Sequence, residues 1–269
     1  MTIRLWYQST VEIDTYHAYR EALMALFTQI ADRDTTITLR GTPPGTWGGL
    51  ANSDVMASAW AYHRILSPVL FDNARQAERE GYDAFVLGSF TDPWLRELRS
   101  LLDIPVVSLP ESTLLTACSV AAKFALVTMN TENDWFLRNN VARYGLESRV
   151  SGIHVVEPGL TEWELNTLFT DPSAYLARFT EVARRAIAQY ADAIIPAEGL
   201  VATVVARHGL REIEGVPVVD AIACAVTQAE AMVKLVRRTG LHAGRRWHYT
   251  KAPEAVVRFI DGRANAAKP

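Results

Sequence analysis

Cysteine is scarce in this sequence: Cys118 and Cys224 are its two thiols, and they do not share CxxC spacing. That excludes a disulfide scaffold and a cysteine-based zinc site, and each reads as a small core residue. A basic excess is also missing. With 27 Lys and Arg against 30 Asp and Glu the formal net charge is −3, which leaves nothing to neutralise a phosphate backbone and excludes nucleic acid as the main partner. No uncharged apolar run approaches the roughly 18 residues of a bilayer span, and polar residues stand where a signal peptide would place its apolar segment. The expectation is a cytoplasmic protein without a membrane partner. The six histidines, His17, His63, His154, His208, His242 and His248, show neither HExxH nor HxH spacing, so no metal site is expected. What the chain does have is 49% hydrophobic and 21% charged residues over 269 positions, enough to bury one large core or two modest ones.

Short β-branched runs alternate with longer stretches of helical period. Residues 3–8, 36–40, 84–88, 105–109, 124–129, 152–156, 193–196 and 217–220 read as strands, with helical segments between them and a final helix over about 222–238. This alternation implies mainly parallel sheets with helices on both faces. Residues 41–53, rich in Gly, Pro, Thr and Trp, fit neither period and read as a long loop that either lids a site or simply connects two elements. The tail from Gly244 to Pro269 is basic, then Ala-rich, and is expected to fray after Arg263.

An internal repeat organises these elements. Asp83-Ala84-Phe85-Val86-Leu87-Gly88-Ser89 lies on Asp192-Ala193-Ile194-Ile195-Pro196-Ala197-Glu198 at an offset of 109 residues, and Ile104-Pro105-Val106-Val107 lies on Val216-Pro217-Val218-Val219 at 112. Buried parallel strands share Val and Ile by composition alone, but not Asp-Ala before the strand and X-Pro-Val-Val after it. The expected fold is therefore α/β with two pseudo-symmetric lobes, each a mainly parallel sheet flanked by helices. Residues 1–115 with 222–269 form one lobe and residues 116–221 the other. Facing lobes put the carboxyl ends of matching strands on one cleft, with Ser89 opposite Glu198.

With these residues in view, the sequence resembles the aspartate/glutamate racemase superfamily, its hydantoin racemase branch most of all. The matching stretches run from Gly81 to Pro93, then Ile104-Pro105-Val106-Val107, Phe124-Ala125-Leu126-Val127-Thr128, Asp192-Ala193-Ile194-Ile195 and Val216-Pro217-Val218-Val219-Asp220, covering roughly residues 1–240. The resemblance implies no cofactor and a small anionic or cyclic imide-like substrate between the lobes. It also implies two cysteines, one after each repeated strand, acting as acid and base on opposite faces of an acidic carbon. Here those two positions hold Ser89 and Glu198, while Cys118 and Cys224 lie well past the strand ends, so the two-thiol mechanism does not carry over.

Serine ionises far above neutral pH and acts as a base only beside a stronger one, so Ser89 reads as an orienting group or a helix cap. Glu198, at the carboxyl end of a buried strand, is a candidate general acid/base whose acidity partial desolvation would weaken; a salt-bridged helix-start carboxylate is the plainer alternative. Substrate contacts are expected from Gln8, Ser9 and Thr10 after the first strand, from Thr128, Asn130 and Thr131 after the fifth, and from Phe90, with helix capping as the competing role for the hydroxyl and amide groups. Tyr7 and Trp47 join Phe90 as candidates for an apolar wall. Ser112 reads as a helix N-cap, and His208 is the one histidine with a route to the cleft, an exposed or core-packed position being the plainer reading.

Three functions fit this reading. One is a cofactor-independent enzyme on a hydantoin-, imide- or carboxylate-type substrate, in which Glu198 moves a proton and Ser89 orients substrate or water; hydrolysis or lysis is favoured because one carboxylate suffices for them. The second is a racemase or isomerase working without cysteine. The third is a small-ligand binding protein that kept the cleft and lost catalysis. A small molecule and further copies of the chain are the expected partners.

Overall fold

Strand β1 (Ile3–Gln8) pairs in parallel with β2 (Thr35–Arg40) on one side and with β3 (Ala84–Leu87) on the other, and β3 pairs with β4 (Val106–Ser108), giving the order β2-β1-β3-β4. In the second sheet β5 (Phe124–Thr128) lies between β6 (Val150–Val155) and β7 (Ala193–Pro196), again in parallel, and Val218 bridges to Ile194 in the position that β4 occupies in the first. The computed structural model from which this follows describes residues 2–50, 52–160, 164 and 167–266.

The helices are α1 (His17–Ile30), α2 (Asn52–Met56), α3 (Ala59–Arg79), α4 (Leu95–Leu101), α5 (Leu109–Val120), α6 (Thr131–Arg143), α7 (Ser173–Ile187), α8 (Gly199–Arg207), α9 (Ala221–Thr239) and α10 (Glu254–Ala266). The short strands β8 (Glu212–Ile213) and β9 (Val216–Pro217) form an antiparallel pair between α8 and α9. Helix α9 packs against α5, α1, β3 and β4, so the last long helix returns to the first half. The expected division between residues 115 and 116 lies inside α5. Helix α10 is an addition to the sequence reading: Arg75 grips Asp261 with both guanidinium nitrogens, and Arg245 donates to the carbonyls of Arg99 and Leu102, so the tail is strapped to α3 and α4.

The duplication is visible bond by bond. Asp83 accepts from the Arg4 amide at 2.8 Å and Asp192 from the Lys123 amide at 3.1 Å; each aspartate fastens the start of its strand to the neighbouring one. Leu5 faces Ala84 and Phe124 faces Ala193 across the two sheets, while Phe85 faces Val106 and Ile194 faces Val218. The second repeat segment thus holds the offset of 112 that the sequence shows, and the first strands add a third offset, 119 residues from Leu5 to Phe124.

Alternation along the strands divides the core. Leu5, Tyr7, Ala84 and Val86 point to one face of the first sheet and join a core that continues through both sheets, whereas Trp6, Phe85, Leu87 and Val106 point to the other face and pack under α3 and α4. Each fully buried large side chain among them contributes roughly 1.5–3 kcal/mol. Helix starts are capped at strand ends: Ser108 accepts from the Glu111 amide, Asn130 from Asn133 and Asp220 from Ala223. Ser108 therefore takes the cap expected of Ser112, whose hydroxyl instead donates to the carbonyls of Ser108 and Leu109 one turn back.

Candidate active site

Two turns from matching strands meet between the sheets. After β3 the chain passes Gly88, whose amide donates to the Gln8 carbonyl at 2.8 Å, and reaches Ser89; after β7 it passes Ala197, whose amide donates to the Val127 carbonyl at 2.8 Å, and reaches Glu198. A Cβ built on Gly199 would lie 3.6 Å from the Gly88 carbonyl oxygen and 3.4 Å from the Tyr19 hydroxyl, so the two turns are nearly in contact. Gly88 is required by packing from below, because a Cβ there would stand 2.2 Å from the Tyr7 ring.

The cleft between the turns is lined by Thr10, Val11, Tyr16, Met56, Ser89, Phe90, Thr91, Met129, Asn130, Glu132, Asn133, Glu198 and Leu200. Ser89 and Glu198 share it, together with Thr10, Phe90 and Asn130 from the expected substrate contacts. Among the described residues no lysine, arginine or histidine is in this lining. Six of these thirteen side chains are apolar or aromatic, which suits a small ring with a substituent.

Gln8, Ser9, Thr128 and Thr131 are not among the described residues that line this cleft. The buried Gln8 amide is used inside the first half, accepting from the Trp6 indole at 2.9 Å and from Asn73 at 3.1 Å and donating to the Ser9 carbonyl at 2.8 Å. Ser9 is buried beside the Tyr19 hydroxyl. Thr128 is fully buried, and Thr131 opens α6 on the exposed side. Tyr7 and Trp47 are packing residues rather than cleft walls: Tyr7 is wholly buried, and Trp47 stacks on Tyr62 at 6.1 Å. His208 ends α8 in solvent.

Tyr16, Met56, Thr91, Met129, Glu132, Asn133, Leu200 and Val11 were not foreseen. A signal for part of this set lies in the duplication, since Thr10 with Met129 and Val11 with Asn130 are pairs at the offset of 119, and all four line the cleft. Met56 comes from the short helix after the 41–53 segment. No described residue of 41–53 is in the cleft lining, and the segment buries Trp47 in its middle.

Glu198 caps α8, one carboxylate oxygen accepting from the Leu200 amide at 2.6 Å and the Val201 amide at 3.0 Å. Two N–H donors at the positive end of a helix favour a negative charge there and fix the side-chain rotamer. The negative charge reaches the neighbouring phenols: burial pushes the Tyr7 and Tyr175 hydroxyls far up from their ordinary range, and Glu198 pushes them further. The Ser89 hydroxyl pairs with Thr91 Oγ1 at 2.9 Å, and Thr91 pairs with the Tyr62 hydroxyl at 2.9 Å. Burial holds Tyr62 protonated, so this chain of hydroxyls ends without a base. Among the described residues no carboxylate or imidazole is hydrogen-bonded to Ser89.

Neither thiol is in the lining. Burial pushes the Cys224 thiol up to about 11, which keeps it protonated near neutral pH. Among the described residues no three of His, Cys, Asp and Glu converge as a metal would need, and no helix is long and apolar enough to cross a membrane.

Comparison with known proteins agrees with the architecture. The family described as Asp/Glu/hydantoin racemase matches residues 39–229. A hydantoin racemase from Pseudomonas sp. (strain NS671) is 32% identical over 180 residues, 66% of this chain and 70% of that protein. Among solved structures, an allantoin racemase from Klebsiella pneumoniae superposes with a TM-score of 0.74 at 22% identity, over 94% of this chain and 95% of that one. An allantoin racemase from Pseudomonas fluorescens superposes at 0.72 with 21% identity, over 94% and 98%.

Proposed function

This chain belongs to the Asp/Glu/hydantoin racemase family, and we propose that it is a cofactor-independent isomerase moving a proton at an acidic carbon of a small hydantoin-, imide- or carboxylate-type substrate. Glu198 is the acid/base and Ser89 the orienting group, in a cleft between the halves 1–115 with 222–269 and 116–221. The observation that carries this reading is the meeting of Ser89 and Glu198 in one cleft with no cation among its described lining residues. Homology to a hydantoin racemase supports isomerisation as the class of reaction.

The resting carboxylate begins as a base. It takes the proton from the carbon next to the substrate carbonyl, and the electron pair moves onto the carbonyl oxygen as an enolate. Hydroxyl and amide groups of Thr10, Thr91 and Asn133 are the donors available to that oxygen. Among the described residues no carboxylate or imidazole is hydrogen-bonded to Ser89, so it orients a water on the opposite face. That water delivers a proton to carbon, and the hydroxide left behind takes the proton held by Glu198, returning the site to its starting state.

One feature favours a second reading, hydrolysis or lysis: the two faces of the cleft are chemically unequal, a carboxylate against a hydroxyl, and a single base suffices for those reactions. Enantiopure 5-substituted hydantoins, cyclic imides and substituted dicarboxylates incubated with the protein in D2O separate the readings. Isomerisation gives loss of optical rotation with one deuterium on carbon and no other change of composition. A mass gain of one water, or loss of a fragment, overturns it in favour of hydrolysis or lysis. Binding without turnover, unaltered in Glu198→Gln, overturns both.

A further inference from the structure

We propose that Asp92, clamped by Arg143 and Tyr144, is an ion-pair latch between the two halves that sets the position of Ser89 relative to Glu198. The proposal rests on the reading of Ser89 and Glu198 as one site. Asp92 follows Ser89 by three residues in the turn after β3, and its carboxylate is completely buried. Arg143 and the Tyr144 hydroxyl both donate to Asp92 Oδ2, and both come from the C-terminal end of α6, a helix of the other half.

The same helix holds the turn at a second point. Asn140 Nδ2 donates to the Phe90 carbonyl at 2.8 Å, and Arg143 donates to Asn140 Oδ1 at 2.8 Å. Residues 140, 143 and 144 have the i, i+3, i+4 spacing that places them on one helix face, so the grip belongs to a single surface. The turn they hold is backbone-strained: Asp92 and Trp94 have φ of 50° and 54°, the left-handed region that non-glycine residues avoid. A strained turn persists when its surroundings over-determine it, and here the surroundings belong to the opposite half.

The duplication supplies the comparison. Helix α1, which follows the first strand of the first half as α6 follows that of the second, packs on α8 directly behind Glu198, with the Tyr19 hydroxyl beside Gly199. Each site turn is thus held by the helix of the other half. On the Glu198 side the contact is neutral; on the Ser89 side it is a buried charge with its guanidinium and phenol partners. A buried carboxylate left without those partners is strongly unfavourable, so movement of α6 away from the turn is opposed, and the spacing across the cleft depends on the latch rather than on either sheet alone. Asp92, Asn140 and Arg143 are positioning residues in this scheme and do not touch the substrate.

Hydrogen exchange read by mass spectrometry on peptides spanning residues 88–98 tests the latch without needing a substrate. Arg143 is half-exposed, so Arg143→Ala tests the latch even where Asp92→Asn fails to fold. In Arg143→Ala, amides of the turn are expected to exchange at least about tenfold faster while those of β1 and β5 do not change. On a substrate found by the screen above, kcat should fall about 10- to 100-fold with a smaller change in KM. Ethylguanidine at millimolar concentration should restore both exchange protection and turnover. Unchanged exchange in Arg143→Ala overturns the latch, as does simple additivity of Arg143→Ala and Asp92→Asn in the double variant. Faster exchange with unaltered turnover overturns the positioning role. Faster exchange in a protein that turns over none of the probes leaves the latch standing and counts against the catalytic reading of the cleft instead.

Discussion

Replacing Glu198 with glutamine separates the helix cap seen in the structure from the acid/base role proposed for that side chain. As a cap, Glu198 accepts from the Leu200 and Val201 amides. The glutamine carbonyl oxygen can accept the same two bonds, so the loss is the interaction of a negative charge with the helix N-terminus, about 0.3–1 kcal/mol. For a chain of this size that lowers the unfolding midpoint by roughly 2–4 °C or less. Glu132 also lines the cleft, but with Glu198 as the proposed proton acceptor the chemical step should fall by about 10²–10⁴-fold, equivalent to roughly 3–5 kcal/mol of barrier. The two effects therefore differ enough to be read independently. Single-turnover measurement of deuterium uptake at the acidic carbon isolates chemistry from binding. Ser89→Ala is the control in the same assay: it removes the one neutral hydrogen bond proposed to orient the water, about 0.5–1.5 kcal/mol, and so costs about 2- to 12-fold. A folded Glu198→Gln protein with an unchanged chemical rate, or a larger loss from Ser89→Ala than from Glu198→Gln, would refute the reasoning.

Other consequences are open to direct measurement. Cys118→Ala and Cys224→Ala should leave turnover near that of the parent, and iodoacetamide at pH 8 should not inactivate the folded protein, because neither thiol lines the cleft and burial keeps Cys224 protonated; rapid inactivation would show a thiol at the site. Placing cysteine at both positions, S89C with E198C, should make any proton exchange sensitive to the same reagent. Gly88→Ala drives a methyl into the Tyr7 ring and should cost about 1–3 kcal/mol or more, whereas Tyr7→Phe removes a buried hydroxyl without a partner among the described residues and should be neutral or stabilising in urea unfolding. Burial and the charge of Arg185 hold the His154 imidazole below its usual range, so the unfolded chain binds that proton more readily. Its contribution to stability is complete above about pH 6.5 and is lost as pH falls through the lowered value. His154→Gln should accordingly flatten the acid limb of the urea midpoint between pH 7 and 5, and an unaltered limb would contradict the assignment.

Local chemistry was legible where a residue's neighbours in sequence are also its neighbours in space. Strand runs such as Ala84–Leu87 and Ala193–Pro196 are short, wholly buried and bounded by Asp and Gly or Ala, so composition alone marks them. The end of each repeated strand places Ser89 and Glu198 without any tertiary information, because parallel duplication puts equivalent strand ends at equivalent places. The cap of α5 was misplaced by one turn, since Ser108 and Ser112 both precede or open the same apolar run and only the backbone path separates a cap from a hydroxyl bonded to the previous turn.

The sequence by itself determined the α/β class, the duplication and the presence of a hydroxyl and a carboxylate after the two repeated strands, because each is a statement about residue type at a fixed offset along the chain. Tertiary structure decided the rest. It turned Gln8 inward to Trp6 and Asn73, brought Met56 and Met129 to the cleft from segments more than 70 positions apart, and set Arg143 of one half on Asp92 of the other. Those relations depend on how two sheets face each other across a gap. The packing of α1 on α8 and of α6 on the Ser89 turn fixes that facing, through contacts between side chains that no local pattern links.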